Sequence, residues 1–242
     1  MKIALLGYGK MGQAVEAAAT ARGFTIIGRQ NRNTSLADAL LAQADLLIDF
    51  SNAEVLVSHV RRAATLGKPL VIGTTGWEDQ QSEVRRLVEQ AGIGAVHSPN
   101  FCLGIQLFHQ CLQAVATLMN RFDLYDVSVL ESHHRGKADS PSGYAKLMGD
   151  LLLKTIDRKT EILTELSKGP IKPHQLHISS IRHGSVPGIH SVFFDSSADT
   201  IELTHTARHR GGFAEGALLA GQWIRGKRGL IPFRDLFQEY VQ

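Results

Sequence analysis

The stretch Lys2-Ile3-Ala4-Leu5-Leu6-Gly7-Tyr8-Gly9-Lys10-Met11-Gly12-Gln13-Ala14-Val15 decides the fold. Residues 2–6 make an apolar run of strand length, three glycines follow at G-x-G-x-x-G spacing, and an Ala-rich helical stretch continues to about Gly23. A glycine turn that ends a strand and opens a helix is the context a dinucleotide fingerprint requires. Gly7 permits the tight turn, Gly9 lets backbone approach a pyrophosphate, and Gly12 lets the helix pack close to the sheet; the helix N-terminus offers free N–H groups to the phosphates. An ordinary βα turn has the same ingredients, so the surrounding chain has to decide.

Outward from this turn, strand-like runs at 24–28, 46–50, 70–73 and 94–97 alternate with helical stretches at 35–43, 53–66 and 78–91. That alternation predicts βαβ units and a parallel sheet. After Phe101 the pattern changes to a long helix at 103–119, a strand at 126–131, a polar loop at 132–141 and a helix to about 153. Residues 154–173 read as loop, and 176–182, 189–195 and 200–207 read as an antiparallel, half-exposed sheet before a last helix at 213–224. The expected class is α/β: a Rossmann-like parallel-sheet lobe plus an α+β lobe with a mixed or antiparallel open sheet. The expected domains are 1–101 with 213–242, and 102–212.

The chain has 242 residues, 43% hydrophobic and 20% charged, which is globular composition. A net charge of 26 − 23 = +3 is too weak for a nucleic-acid binder and suits a small anionic ligand. Cys102 and Cys111, nine apart in one helical region, point in opposite directions and cannot form a disulfide. They read as buried thiols of a reducing, cytoplasmic setting. The N-terminal apolar run reads as a strand and not a leader, and no window reaches the length of a membrane span.

The nucleotide site is expected at strand C-terminal ends: Gly7, Tyr8, Gly9, Lys10, Met11 and Gly12 in the turn, Gly73, Thr74 and Thr75 after one strand, and Ser98, Pro99, Asn100 and Phe101 after another. The acidic residue that would hold ribose hydroxyls after the second strand is absent; Arg29 and Arg32 flank that position and favour a 2′-phosphate. NADPH or NADH is therefore the expected cofactor, with NADPH favoured.

Eight of the eleven histidines lie from His133 onward. The richest segment, Glu131-Ser132-His133-His134-Arg135-Gly136-Lys137-Ala138-Asp139-Ser140-Pro141-Ser142-Gly143-Tyr144, joins a strand to a helix. Ser140 as N-cap and Pro141 as first helical residue would leave the N–H groups of Ser142, Gly143 and Tyr144 free for a carboxylate. The histidines exchange protons near neutral pH, and Lys137 supplies positive charge or a proton. A solvated basic loop is the plainer reading. No HExxH or CxxC accompanies the paired histidines, so no metal is expected. His183 and His190 flank Val186-Pro187-Gly188 and add positive potential near the sheet edge; His174, His177, His205 and His209 have no role assigned.

This loop resembles the E-x-H-H-x-x-K-x-D-x-P-S-G signature of the 4-hydroxy-tetrahydrodipicolinate reductase (dihydrodipicolinate reductase) family. The likeness extends to the glycine turn with its Met-Gly, Asp49-Phe50-Ser51, Gly73-Thr74-Thr75-Gly76, Ser98-Pro99-Asn100-Phe101 and the run Arg210 to Leu218. The resemblance implies NAD(P)H-dependent reduction of the hydroxylated cyclic dicarboxylate to tetrahydrodipicolinate in lysine and diaminopimelate biosynthesis, in a cytoplasmic homotetramer. It implies His133 and Lys137 as catalytic proton donors, and His134, Ser142, Gly143 and Tyr144 as carboxylate-binding residues. Tyr144 departs from the family's usual Thr. Two other readings stay open: a related dicarboxylate or amino-acid dehydrogenase, or an NADP(H)-binding regulator without turnover.

Overall fold

The structure is a computed structural model and describes residues 1–165, 167 and 169–239. The chain divides into two compact units, Met1–Gln106 with Arg210–Gln242, and Leu107–His209. The first unit ends a few residues after the pattern change at Phe101.

The first unit contains β1 (Lys2–Leu6), α1 (Lys10–Ala21), β2 (Thr25–Gln30), α2 (Asp38–Leu41), β3 (Leu46–Asp49), α3 (Ala53–Thr65), β4 (Leu70–Ile72), α4 (Gln81–Ala91) and β5 (Gly94–His97). The helix α5 (Leu103–Met119) leads out of it. Its six-stranded sheet, completed by β11 (Gly229–Pro232), runs β11-β5-β4-β3-β1-β2, with every pairing parallel. A strand buried on both faces has to be apolar throughout, and β1 shows this. Ile3 and Leu5 pack with α1 and α7 (Gly211–Ile224) on one face; Ala4 and Leu6 pack with α3 and α4 on the other.

Two features of this unit depart from expectation. The sheet's sixth strand, β11 (Gly229–Pro232), is too short to carry a periodic signal, and pairs with β5 only because α7 returns the chain to this sheet. The helix expected over 35–43 is the single turn α2, because Ser35 and Leu36 belong to the chain leaving the Asn31–Thr34 turn.

The second unit contains β6 (Asp126–His133), α6 (Gly143–Thr155), β7 (Glu161–Leu163), β8 (Gln175–Arg182), β9 (Ile189–Asp195) and β10 (Thr200–Thr206) in a sheet ordered β10-β9-β6-β8-β7. The antiparallel expectation for its last strands fails at β8, which pairs parallel with β6 and β7; only β9 with β6 and with β10 is antiparallel. β7 lies in the stretch expected to be loop. Val127, Val129, Leu176, Ile178, Val192 and Phe194 pack one sheet face against Phe108, Leu112, Met148 and Leu152 of α5 and α6. Cys102 is buried, but Cys111 is exposed, so only one cysteine is the buried thiol expected.

Close packing of α7 rests on its glycines. A Cβ at Gly216 would sit 1.8 Å from the Phe101 carbonyl oxygen, and one at Gly221 would sit 2.3 Å from Leu46. Gly216→Ala is expected to destabilise the chain by about 1–3 kcal/mol through overpacking against rigid backbone. Urea unfolding followed by circular dichroism checks this; an unchanged midpoint contradicts the packing described.

Candidate active site

The glycine turn has the geometry its spacing requires. Gly7 has φ +99°, and a Cβ there would lie 2.4 Å from the Phe50 carbonyl carbon at the end of β3. Only glycine combines that backbone conformation with so close an approach. A Cβ on Gly12 would lie 2.5 Å from the Gly7 oxygen, so the first turn of α1 packs directly on the loop, whereas Gly9 faces open space. Gly7 and Tyr8 donate their N–H groups to the Gln30 carbonyl at 3.0 and 2.7 Å, which fastens the turn to the end of β2.

A cavity of about 760 Å³ opens beside this turn, lined by Gly7, Tyr8 and Gly9, by residues 30–35, and by Phe50, Ser51, Asn52, Val55 and His59. A buried network holds its floor. Asp49 accepts from Ser51 N–H and hydroxyl, from the Thr74 hydroxyl at 2.8 Å and from His59 Nδ1 at 2.7 Å; the other His59 nitrogen meets the Gln30 amide at 2.7 Å. The ends of β2, β3 and β4 are thereby tied together at the side where open parallel sheets bind ligands. Glycine turn, helix N-terminus and a strand end without a carboxylate together fit a pyridine dinucleotide.

The strand-end residues expected to touch that cofactor divide by role. Thr74 is buried on Asp49. Phe101 is core, packed against Phe50 and Phe233. Ser98 Oγ donates to the Asn100 carbonyl, and Asn100 Oδ1 accepts from Cys102 N–H, so this pair shapes the turn after β5. Gly73 carries no Cβ because the Phe50 ring fills the space. Thr74, Thr75, Ser98 and Pro99 line a second cavity of about 170 Å³ with Trp77 and His97. Lys10 and Met11 open α1, and Lys10 is exposed. Arg32 lines the large cavity, but Arg29 does not: Glu16 on α1 holds it.

In the second unit, strand register builds the other cluster. Glu131 on β6 is opposite Ser180 on β8 and His190 on β9, and His133 is opposite Arg182. Positions 131 and 133 continue the sheet face of Val127 and Val129, so this face changes from apolar to charged along one strand. Glu131 is fully buried. One carboxylate oxygen accepts from Arg182 at 2.7 Å and from Ser142 N–H at 3.2 Å; the other accepts from His133 Nδ1.

Burial works against the Glu131 charge, but hydrogen bonds from Arg182 and His133 outweigh it and hold the carboxyl below its ordinary pKa. His133 is shifted down, chiefly by burial, then by the charges of Lys137 and Arg182, with Glu131 opposing. With Nδ1 bound to Glu131, Nε2 is the nitrogen left for proton exchange. A Cβ at Gly188 would come within 3.0 Å of Nε2, so glycine there keeps the nitrogen uncrowded.

His190 stands edge-on to His133 with ring centres 5.1 Å apart, and Tyr144 stands edge-on to His190 at 5.0 Å. Burial, reinforced by the charge of His133, lowers the His190 pKa to about 4. His190 Nδ1 and Arg182 Nε are buried without a hydrogen-bond partner among the described residues, as groups awaiting a polar ligand would be. Glu131, His133 and His190 each present a ligand atom within 4.8 Å of the others, a spacing that also suits a metal. Both Glu131 oxygens already have partners, Arg182 on one and His133 on the other.

The loop after β6 corrects the capping expectation. Ser142, not Ser140, is the N-cap of α6, its Oγ accepting from Ala145 N–H at 3.3 Å; Ser140-Pro141 is a cis peptide outside the helix. Nor is the helix end free. Glu131 takes the Ser142 N–H, and Asp139 is held below its ordinary pKa by Lys137, 2.7 Å away, and by the Gly143 N–H. His134 is exposed on the loop. Arg182, Glu131 and Asp139 received no role from the sequence; the Glu-x-His spacing on a strand, which puts both side chains on one face, is the signal available for Glu131.

Comparison with known proteins follows this geometry. Residues 1–101 match the family profile described as "Dihydrodipicolinate reductase, N-terminus", and residues 104–237 match "Dihydrodipicolinate reductase, C-terminus". A 4-hydroxy-tetrahydrodipicolinate reductase of Christiangramia forsetii is 33% identical over 240 residues, 99% of this chain and 98% of that protein. One from Neisseria gonorrhoeae is 34% identical over 204 residues, 82% of this chain and 74% of the other. The dipicolinate-bound dihydrodipicolinate reductase of Paenisporosarcina sp. TG-14 shares the fold, with TM-score 0.78, 19% identity and coverage of 98% and 99%.

The depressed His190 pKa has a consequence for stability. The unfolded chain takes up a proton near pH 6.5 and the folded chain only near 4, so stability falls as pH drops through that window, by about 2–3 kcal/mol for this group. His190→Asn is expected to flatten this part of the profile. Urea unfolding between pH 4 and 7 checks it, and equal slopes in both proteins contradict the assignment.

Proposed function

The chain belongs to the dihydrodipicolinate reductase family, and from that premise we propose that it reduces 4-hydroxy-tetrahydrodipicolinate to tetrahydrodipicolinate in lysine and diaminopimelate biosynthesis. Water leaves the hydroxylated ring, and one hydride and one proton are added. The observation that carries the reading is His133 fixed by Glu131 through Nδ1, with Nε2 uncrowded and Lys137 on the following loop.

NAD(P)H, when bound, supplies the hydride. Gly7, Tyr8, Gly9, Lys10, Met11 and Gly12 would hold its phosphates, with Arg32 toward a 2′-phosphate and Thr75, Ser98, Pro99 and Asn100 at the neighbouring strand ends. NADPH is the nucleotide this reading favours.

The chain's own residues handle charge and proton. In the free protein, burial keeps His133 biased toward the neutral ring. A dicarboxylate brings two negative charges to this cluster, which favours the protonated ring, so substrate binding loads the proton that Nε2 then donates. Lys137 is the second donor in this reading. Asp139 occupies the Lys137 ammonium in the free protein. A substrate carboxylate takes that place, with His134, Ser142 and the Tyr144 backbone completing the site. The neighbour's bound dipicolinate, a planar dicarboxylate, supports a ligand of this class.

The same reading assigns 1–101 with 213–242 to the nucleotide and 102–212 to substrate and assembly, in a cytoplasmic homotetramer. Leu130, Phe193 and Ile181, only partly covered on the sheet face opposite α5 and α6, support assembly through that sheet. Among the described residues, no helix is long and apolar enough to cross a membrane.

NADPH oxidation at 340 nm with freshly generated substrate tests the activity. His133→Ala and Lys137→Ala are each expected to lower kcat by about 10²-fold or more and to leave nucleotide affinity unchanged. Near-normal turnover in both variants overturns the assignment; nucleotide binding without oxidation by the native chain favours a regulator.

The pH profiles carry a second expectation. The limb of kcat/KM that falls with rising pH follows His133 in the free protein, below the ordinary histidine value, and the corresponding limb of kcat lies at higher pH. Coincident limbs contradict substrate-driven protonation.

A further inference from the structure

Two arginines border the β2 end of the nucleotide cavity, and the structure treats them differently. Arg32, at the tip of the Asn31–Thr34 turn, is exposed, lines the cavity and has no ion-pair partner among the described residues. Arg29 does not line the cavity. Its Nε donates to one Glu16 oxygen at 2.8 Å and a terminal nitrogen donates to the other, a bidentate pair, while its guanidinium lies over the Tyr8 ring, 5.8 Å from the ring centre. The Tyr8 hydroxyl donates to the same Glu16 carboxylate. Glu16 belongs to α1, Arg29 to β2 and Tyr8 to the glycine turn, so the three close a clasp across the cavity's edge. Tyr8 is the one member that lines the cavity.

A fork of two parallel hydrogen bonds to a carboxylate uses the same guanidinium face that a phosphate would use. Glu16 is thus an anion already seated where a 2′-phosphate would have to bind Arg29. We infer that Glu16 sets the nucleotide preference of this chain by holding Arg29 away from the cavity, which leaves Arg32 as the cation that meets a 2′-phosphate. The inference rests on the reading that the glycine turn binds NAD(P)H. Arg29 contributes only when its pair with Glu16 opens, so the native chain binds NADPH with a modest advantage over NADH. With its pKa lowered to about 2, chiefly by Arg29, Glu16 stays charged across the working range, so the clasp is not a pH switch.

Dissociation constants of NADPH and NADH, read by nicotinamide fluorescence without substrate, test this. Glu16→Gln is expected to tighten NADPH about five- to tenfold and to change NADH less than about twofold. The double variant Glu16→Gln/Arg29→Ala is expected to lose that gain, because the gain comes from the released guanidinium. Arg32→Ala alone is expected to abolish the NADPH advantage. NADH binding in each variant reports an intact site. A Glu16→Gln gain that survives Arg29→Ala, or equal shifts for both nucleotides, overturns the inference while leaving the proposed function standing. Failure of the native chain to bind either nucleotide overturns the proposed function itself.

Discussion

A fully buried carboxylate must find partners for both its oxygens, and in the second unit that requirement on Glu131 organises everything around it. Arg182 comes from β8, Ser142 N–H from the start of α6, and His133 from two residues along β6. Each partner is drawn from a different element, so one side chain fixes the register of β6 against β8, the entry of α6 and the orientation of the histidine ring. Removing the carboxylate would take the ion-pair partner from Arg182, which keeps only the Asp139 and Ile181 carbonyls, and would leave the Ser142 N–H unsatisfied, which costs more than the hydrogen bonds themselves contribute. The His133 ring is therefore oriented by the same interaction that anchors the end of the sheet.

The first unit meets a comparable demand in a different way. Asp49, also fully buried, draws Ser51, His59 and Thr74 toward the C-terminal end of β3 and, through His59, the Gln30 side chain of β2. The glycine turn is fixed from outside by the Gln30 carbonyl and packed from beneath by the end of β3. These are preorganised surfaces: backbone donors and open space are in place before any ligand arrives, so little ordering cost remains to be met on binding.

Much of this was legible in the chain because its signals are local. Residues 2–15 carry strand, turn and helix in one continuous window, and the geometry at Gly7, Gly9 and Gly12 follows from their spacing. What escaped was set by distant partners. β11 is four residues long and is a strand only because α7 delivers it to β5. The parallel pairing of β8 with β6 depends on where the intervening helix α6 returns the chain, which the alternation of 176–182 does not encode. Ser140 was the cap expected ahead of Pro141, but the cap is Ser142, whose N–H is held by Glu131 eleven residues away. Arg29 and Arg32 looked equivalent as residues; Glu16, thirteen positions before Arg29, separates them.

The central claim is that Glu131 fixes the His133 ring with Nδ1 protonated and Nε2 bare. Long-range ¹H–¹⁵N correlation of the His133 ring at neutral pH tests it directly. The account predicts a protonated, hydrogen-bonded Nδ1 and an unprotonated Nε2, a pattern that Glu131→Gln scrambles into mixed tautomers. A His133 ring carrying its proton on Nε2, or a tautomer unchanged in Glu131→Gln, would contradict it.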